Sequence, residues 1–118
     1  MPLTDKTGAP VEVVRREGDF AVLVDGNPVG LTAFADRDGA RIFYHTEVDD
    51  AFGGRGLATI VIAEALAATR GDGLRIVPVC PTVAAYVKKH DEYADVVDRP
   101  TREVLAWLRE RVGAPDLR

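Results

Sequence analysis

One cysteine in 118 residues, Cys80, excludes an internal disulfide, and a single Cys with two widely separated histidines gives none of the ligand spacings of a zinc site. The chain also lacks any apolar run near the roughly 20 residues needed to span a bilayer. Its N-terminus, Met-Pro-Leu-Thr-Asp-Lys, has no apolar core of signal-peptide length. A cytoplasmic location without a membrane partner is the expectation. An excess of basic charge is missing too: net charge is −4 with acidic and basic residues interleaved, so there is no footprint for a nucleic-acid backbone. Neither a repeat nor a linker interrupts the sequence.

What is present is the composition of a folded protein, 47% hydrophobic and 29% charged, at a length that suits a single domain, 1–118. Segments 11–17 and 20–24 are rich in β-branched residues and flank the turn Glu17-Gly-Asp19, which predicts a hairpin. After Asp25-Gly-Asn-Pro28, Val29, Leu31, Ala33 and Ala35 alternate with Gly30, Thr32 and Phe34 at the strand period, and Asp36-Arg-Asp-Gly39 turns the chain into a fourth strand, 41–48. Strict alternation there puts Arg41, Phe43, His45 and Glu47 on one face and Ile42, Tyr44, Thr46 and Val48 on the other.

Over 54–70, Ala58, Val61, Ile62, Ala65 and Leu66 follow the helical repeat, while Leu57, Ile60, Ala63 and Ala67 make most of the remaining circumference apolar. This predicts a helix buried on more than one side. Leu74 to Val79 reads as a short strand that Pro78 ends at a sheet edge or bulge, so the helix becomes a crossover between parallel strands. A second helix, 80–90, opens at Pro81; a loop and a last strand fill 91–97; a third helix over 102–112 has Thr101 as N-cap and Trp107 as a core anchor. Antiparallel strands, then a βαβ unit, then a helix define an α+β protein.

The densest local signal is Val48-Asp-Asp-Ala-Phe-Gly-Gly-Arg-Gly-Leu-Ala58, an extended segment that passes through glycines into a helix. It fits either a plain tight connection or a phosphate cradle built from backbone N–H groups. The GxxxxGK[ST] and GxGxxG patterns are both absent, which excludes a P-loop and a dinucleotide fingerprint.

Val48, then Gly56-x-Ala58, an apolar helix, a short strand and a helix carrying Tyr86 together resemble the acetyl-CoA-binding core of the GNAT superfamily of N-acetyltransferases. The longer set His45-Thr-Glu-Val48, Cys80-Pro-Thr-Val-Ala-Ala-Tyr86 and His90-Asp-Glu-Tyr93 is similar to the minimal stand-alone GNAT-like enzymes of bacteria and eukaryotes. The resemblance spans about residues 10–97. It implies the GNAT fold, a mixed, mostly antiparallel sheet with helices on both faces, and acetyl-CoA as cofactor with no metal. Gly53 departs from the superfamily loop, which has Arg or Gln there; Arg55 is the candidate to replace that charge.

The resemblance also implies roles. Thr46, Glu47 and Val48 contact the pantetheine arm; Gly53, Gly54, Arg55, Gly56, Leu57 and Ala58 bind the pyrophosphate; the thioester falls near Cys80 and Tyr86. Tyr86 matches a general acid, and Glu47 or His45 a proton acceptor for the amine. Cys80, ahead of a helix N-terminus, is either a small buried hydrophobe or a thiol in the site, with a covalent acyl-cysteine as the less usual route. Direct transfer in a ternary complex is the default. The short turn between the first two strands leaves no acceptor-shaping helices, so the acceptor side should be open to a bulky amine such as a protein side chain. Two rivals remain at this point: a CoA-binding or protein-interaction module without turnover, and a cysteine redox protein, which requires an accessible Cys80.

Overall fold

The computed structural model describes residues 3–112. Six strands form one sheet in sequence order: β1 (Leu3–Thr4), β2 (Pro10–Arg15), β3 (Asp19–Val24), β4 (Asn27–Arg37), β5 (Ala40–Val48) and β6 (Arg75–Pro78). Every neighbouring pair is antiparallel except β5 and β6, which the helix α1 (Leu57–Gly71) joins as a parallel crossover. The two hairpins around β4 turn on Asp25-Gly26 and Asp38-Gly39, with all four residues at positive φ. That is the two-residue turn whose twist matches the strands it joins.

Helices α1 and α2 (Pro81–Lys89) cover one face of the sheet, and α3 (Arg102–Val112) covers part of the other. The larger core gathers Phe20, Val22, Phe34 and Phe43 from the sheet under Leu57, Val61, Ile62, Ala65 and Leu66 of α1 and Val83 of α2. The smaller one seats Leu108 on Ala35, Ile42 and Val77. Arg41, only 1% exposed, ties the far ends together: it donates to Asp36 of β4 at 2.9 Å and to Asp72 beyond α1 at 3.2 Å, and lies 4.5 Å over the Phe34 ring. Thr101 caps α3 as its sequence predicts, its hydroxyl accepting the Val104 N–H at 3.1 Å. None of the described helices is long and apolar enough to cross a membrane.

Three expectations need correction. Helix α1 starts at Leu57, not at 54, because Gly54 and Gly56 take left-handed φ values of 76° and 77° and keep residues 54–56 out of the helix. The segment 91–97 forms a single 3-10 turn, Asp91–Tyr93, and one parallel bridge from Val97 to Ile76 instead of a strand. The third concerns the faces of β5. Ala33 pairs with His45 and Phe34 with Phe43, so Tyr44 is an extra residue, a β-bulge. Alternation breaks there. Thr46 and Val48 fall on the α1 face with Phe43, while Tyr44, His45 and Glu47 share the opposite one.

Candidate active site

The ladder between β5 and β6 runs only from Ala40↔Arg75 to Phe43↔Pro78. It closes with the Phe43 carbonyl accepting the N–H groups of Val79 and Cys80, both at 2.9 Å. Proline at 78 and again at 81 removes the donors that would extend it, and α2 carries the chain off the sheet. β5 nevertheless continues to Val48, held by β4 on its other side. The backbone of His45 to Val48 thus presents an edge with no strand beside it among the described residues, the kind of edge to which an extended ligand adds.

The bulge sorts the side chains along this edge. Thr46 points to the α1 face, where it shares a 2.9 Å hydrogen bond with the buried Thr32 hydroxyl and accepts one from the Cys80 thiol at 3.4 Å. Cys80 is 3% exposed, which removes the redox reading, since that required an accessible thiol. On the opposite face His45 Nε2 lies 3.3 Å from Glu47 Oε2, and His45 Nδ1 is buried with no partner among the described residues. A carboxylate only accepts, so a neutral His45 ring bonded to it carries its proton on Nε2 and leaves Nδ1 as a lone-pair acceptor.

Past Val48, a 3-10 turn (Asp50–Phe52) leads into the glycines. The first intrahelical bond of α1 is Ile60 N–H to Gly56 C=O, and no side chain caps the helix. The N–H groups of Leu57, Ala58 and Thr59 therefore project from the positive end of a 15-residue helix, an arrangement suited to phosphate. Gly53 has ordinary extended φ and ψ, and a Cβ there would sit 3.4 Å from the Asp50 carbonyl. Its lack of a side chain is therefore not a backbone requirement.

Arg55 is engaged elsewhere. Its Nε donates to Asp5 Oδ2 at 2.7 Å, its guanidinium lies 4.8 Å over the Phe52 ring, and a longer bond reaches Thr7. The charge that the sequence assigns to the loop through Arg55 is already balanced. Asp5 is buried and its pKa is lowered to about 2, first by the Thr7 hydroxyl, then by the Thr7 and Ala9 N–H groups and Arg55, against the opposing effect of burial. Sequence reasoning missed Asp5, because the local signal, an Asp two residues before a Thr, marks a turn and not a partner 50 residues away.

Tyr86 lies in a groove between α1 and α2 of about 350 Å³, lined also by Thr59, Ile62, Thr82, Lys89 and His90. Its ring stacks on His90 at 3.8 Å and 6°, as their spacing of four on one helix allows. Burial, then Tyr93 and Glu92, raise the Tyr86 pKa above its ordinary value of 10, so the phenol stays protonated at neutral pH. Thr59 joins this groove to the first turn of α1, while Cys80, at the other end of α2, faces β5.

The edge of β5 beyond Phe43 thus leads to a helix N-terminus that no side chain caps. A sequence profile of the GCN5-related N-acetyl-transferase family matches residues 19–96, and the chain belongs to that family. No curated protein matches it in sequence. Among solved structures, a GCN5-like protein from Staphylococcus aureus is 22% identical, with a TM-score of 0.59 over 77% of this chain and 91% of that one. A ribosomal-protein-alanine N-acetyltransferase from Brucella melitensis is 20% identical, with a TM-score of 0.45 over 84% of this chain and 64% of that one. The first of these likenesses supports the fold. Family membership rests on the profile.

Proposed function

We propose that the chain transfers an acetyl group from acetyl-CoA directly to an amine within a ternary complex. One observation carries this reading: the edge of β5 beyond the end of β6, His45 to Val48, runs toward the turn that exposes the N–H groups of Leu57 to Thr59. A pantetheine arm pairs with the first and a diphosphate with the second. The family implies acetyl-CoA, and the residues present fit it: a free edge for an amide-bearing chain and uncapped donors for an anion. When bound, acetyl-CoA supplies the acetyl group as a thioester.

The chain's own residues then divide the work. Thr46, Glu47 and Val48 orient the arm through their backbone, and Gly53 to Ala58 hold the phosphates. Glu47 or His45, paired 3.3 Å apart, takes the proton of the incoming ammonium directly or through water, and Tyr86 returns a proton to the departing thiolate. Cys80, buried against Thr46, shapes the wedge between β5 and α2 and is not acylated. Because only three residues, Arg16 to Gly18, link β2 to β3, no helix stands between these strands, and the acceptor is a bulky amine such as a protein side chain.

Calorimetry with CoA, followed by thiol release from acetyl-CoA across amines from small primary amines to lysine-bearing peptides, tests the proposal. It expects CoA binding and release that depends on an amine, fastest with the larger acceptors. Binding without release across the panel would make the chain a CoA-binding module, and no binding would remove the reading altogether.

A further inference from the structure

The N-terminal segment reaches the glycine turn and is fastened to it. The Asp5 carboxylate accepts the Thr7 N–H at 2.8 Å, the Thr7 hydroxyl at 2.6 Å and the Ala9 N–H at 3.1 Å, which winds residues 5–9 into a tight turn. Its other oxygen grips Arg55, and the Lys6 N–H donates to the Arg55 carbonyl at 3.1 Å. Between these anchors the Lys6 side chain is laid across Gly56. A Cβ at Gly56 would come within 3.3 Å of Lys6 Cε, 3.6 Å of Cγ and 3.8 Å of Cδ. Lys6 and Gly56 also line, with Thr4, Arg55, Thr59 and Ile60, a cavity of about 440 Å³ beside the start of α1.

This places a cation where a cation is unfavourable. The first turn of α1 is the positive end of its dipole, and positive side chains there are destabilising unless an anion lies between them and the helix. Lys6 makes no ion pair or side-chain hydrogen bond among the described residues, whereas the neighbouring Arg55 is neutralised by Asp5. The arrangement leaves one free positive charge at the turn.

We propose that Lys6, laid against Gly56 at the start of α1, binds the diphosphate of CoA, with Asp5 and Arg55 as the pair that holds Lys6 over the turn. The inference rests on the reading of this turn as the phosphate site of CoA. Lys6 supplies a point charge, the uncapped N–H groups supply direction, and Gly56 lets the lysine stem lie against the helix end.

The test is calorimetry of CoA, dephospho-CoA and pantetheine binding to the wild-type chain, Lys6→Gln and Lys6→Arg, with thermal midpoints of the unliganded proteins as a control on folding. Lys6→Gln should bind both CoA and dephospho-CoA about tenfold more weakly, a difference of about 1.4 kcal/mol, bind pantetheine unchanged, and have an unliganded thermal midpoint at or slightly above that of the wild type. Lys6→Arg should restore most of the affinity. Equal CoA affinity in wild type and Lys6→Gln would overturn the inference while leaving the phosphate site standing. A loss seen with CoA but not with dephospho-CoA would overturn the assignment to the diphosphate. A wild-type chain that does not bind CoA would remove the underlying reading, and this inference with it.

Discussion

Three positions around one turn, 6, 53 and 55, carry charge or its absence, and each has a different physical explanation. Arg55 is held by Asp5 and Phe52, Lys6 is free, and Gly53 has room for a side chain that it does not carry. Gly53→Gln should therefore fold as the wild type does, within about 0.5 kcal/mol as for other exposed substitutions, and should tighten CoA binding several-fold in calorimetry. Asp5 makes a prediction about pH. Its folded pKa of about 2 lies below its ordinary 3.8, so its ionised form is the one the fold favours. The stability it contributes is complete above the ordinary value and is lost as pH falls from there through about 2. An acid titration of unfolding should show this loss in the wild type and a flatter limb in Asp5→Asn.

Tyr86 belongs to the same scale. With its pKa raised above 10, turnover should hold to the alkaline side of that value and fall only where the phenol ionises. Tyr86→Phe should lower kcat by about 100-fold, the lower end for a general acid, abolish that alkaline limb, and leave CoA affinity unchanged. Unchanged kcat would show the ring to be packing alone.

At the scale of elements, strands β2 to β6, the crossover and the helices are legible in the sequence because each follows from its own period, with Thr101 and the two Asp-Gly turns marking boundaries. The bulge at Tyr44 is not legible. Alternation is a local rule, and an inserted residue is defined only against the partner strand, here by Phe34 and Ala33 skipping from Phe43 to His45. Its consequence for the site is large, since it puts Thr46 beside Cys80 and turns His45 and Glu47 together to the other face. The two faces carry separate duties, and α3 serves only one of them. Leu108→Ala, which empties the centre of the small core, should cost about 2–5 kcal/mol in denaturant unfolding. It should leave CoA affinity unchanged at temperatures where the variant is folded.

At the scale of the molecule, the sheet keeps its strands in sequence order, a meander through β5 and then a parallel crossover, and it becomes incomplete where β6 stops and β5 continues. The N-terminal strand β1, which hydrophobic patterning did not reveal because it is only Leu3–Thr4, brings Asp5 and Lys6 to the opposite end of the proposed groove. Contacts 50 and 34 residues apart in sequence, Asp5 with Arg55 and Thr46 with Cys80, thus flank one candidate site, and the family resemblance implied only the second of them. The loop-to-helix turn was legible as a possible anion site; the latch that completes it was not, because long-range ion pairs leave no local pattern.

The account centres on a ligand that spans the open edge of β5 and the N-terminus of α1. Amide chemical shifts of the full chain, followed by NMR during titration with CoA, test this most directly. The account predicts saturable shifts in His45 to Val48 and in Gly54 to Thr59 with a single affinity for both groups. Saturating CoA that leaves both groups unmoved, or shifts only residues outside them, would contradict it.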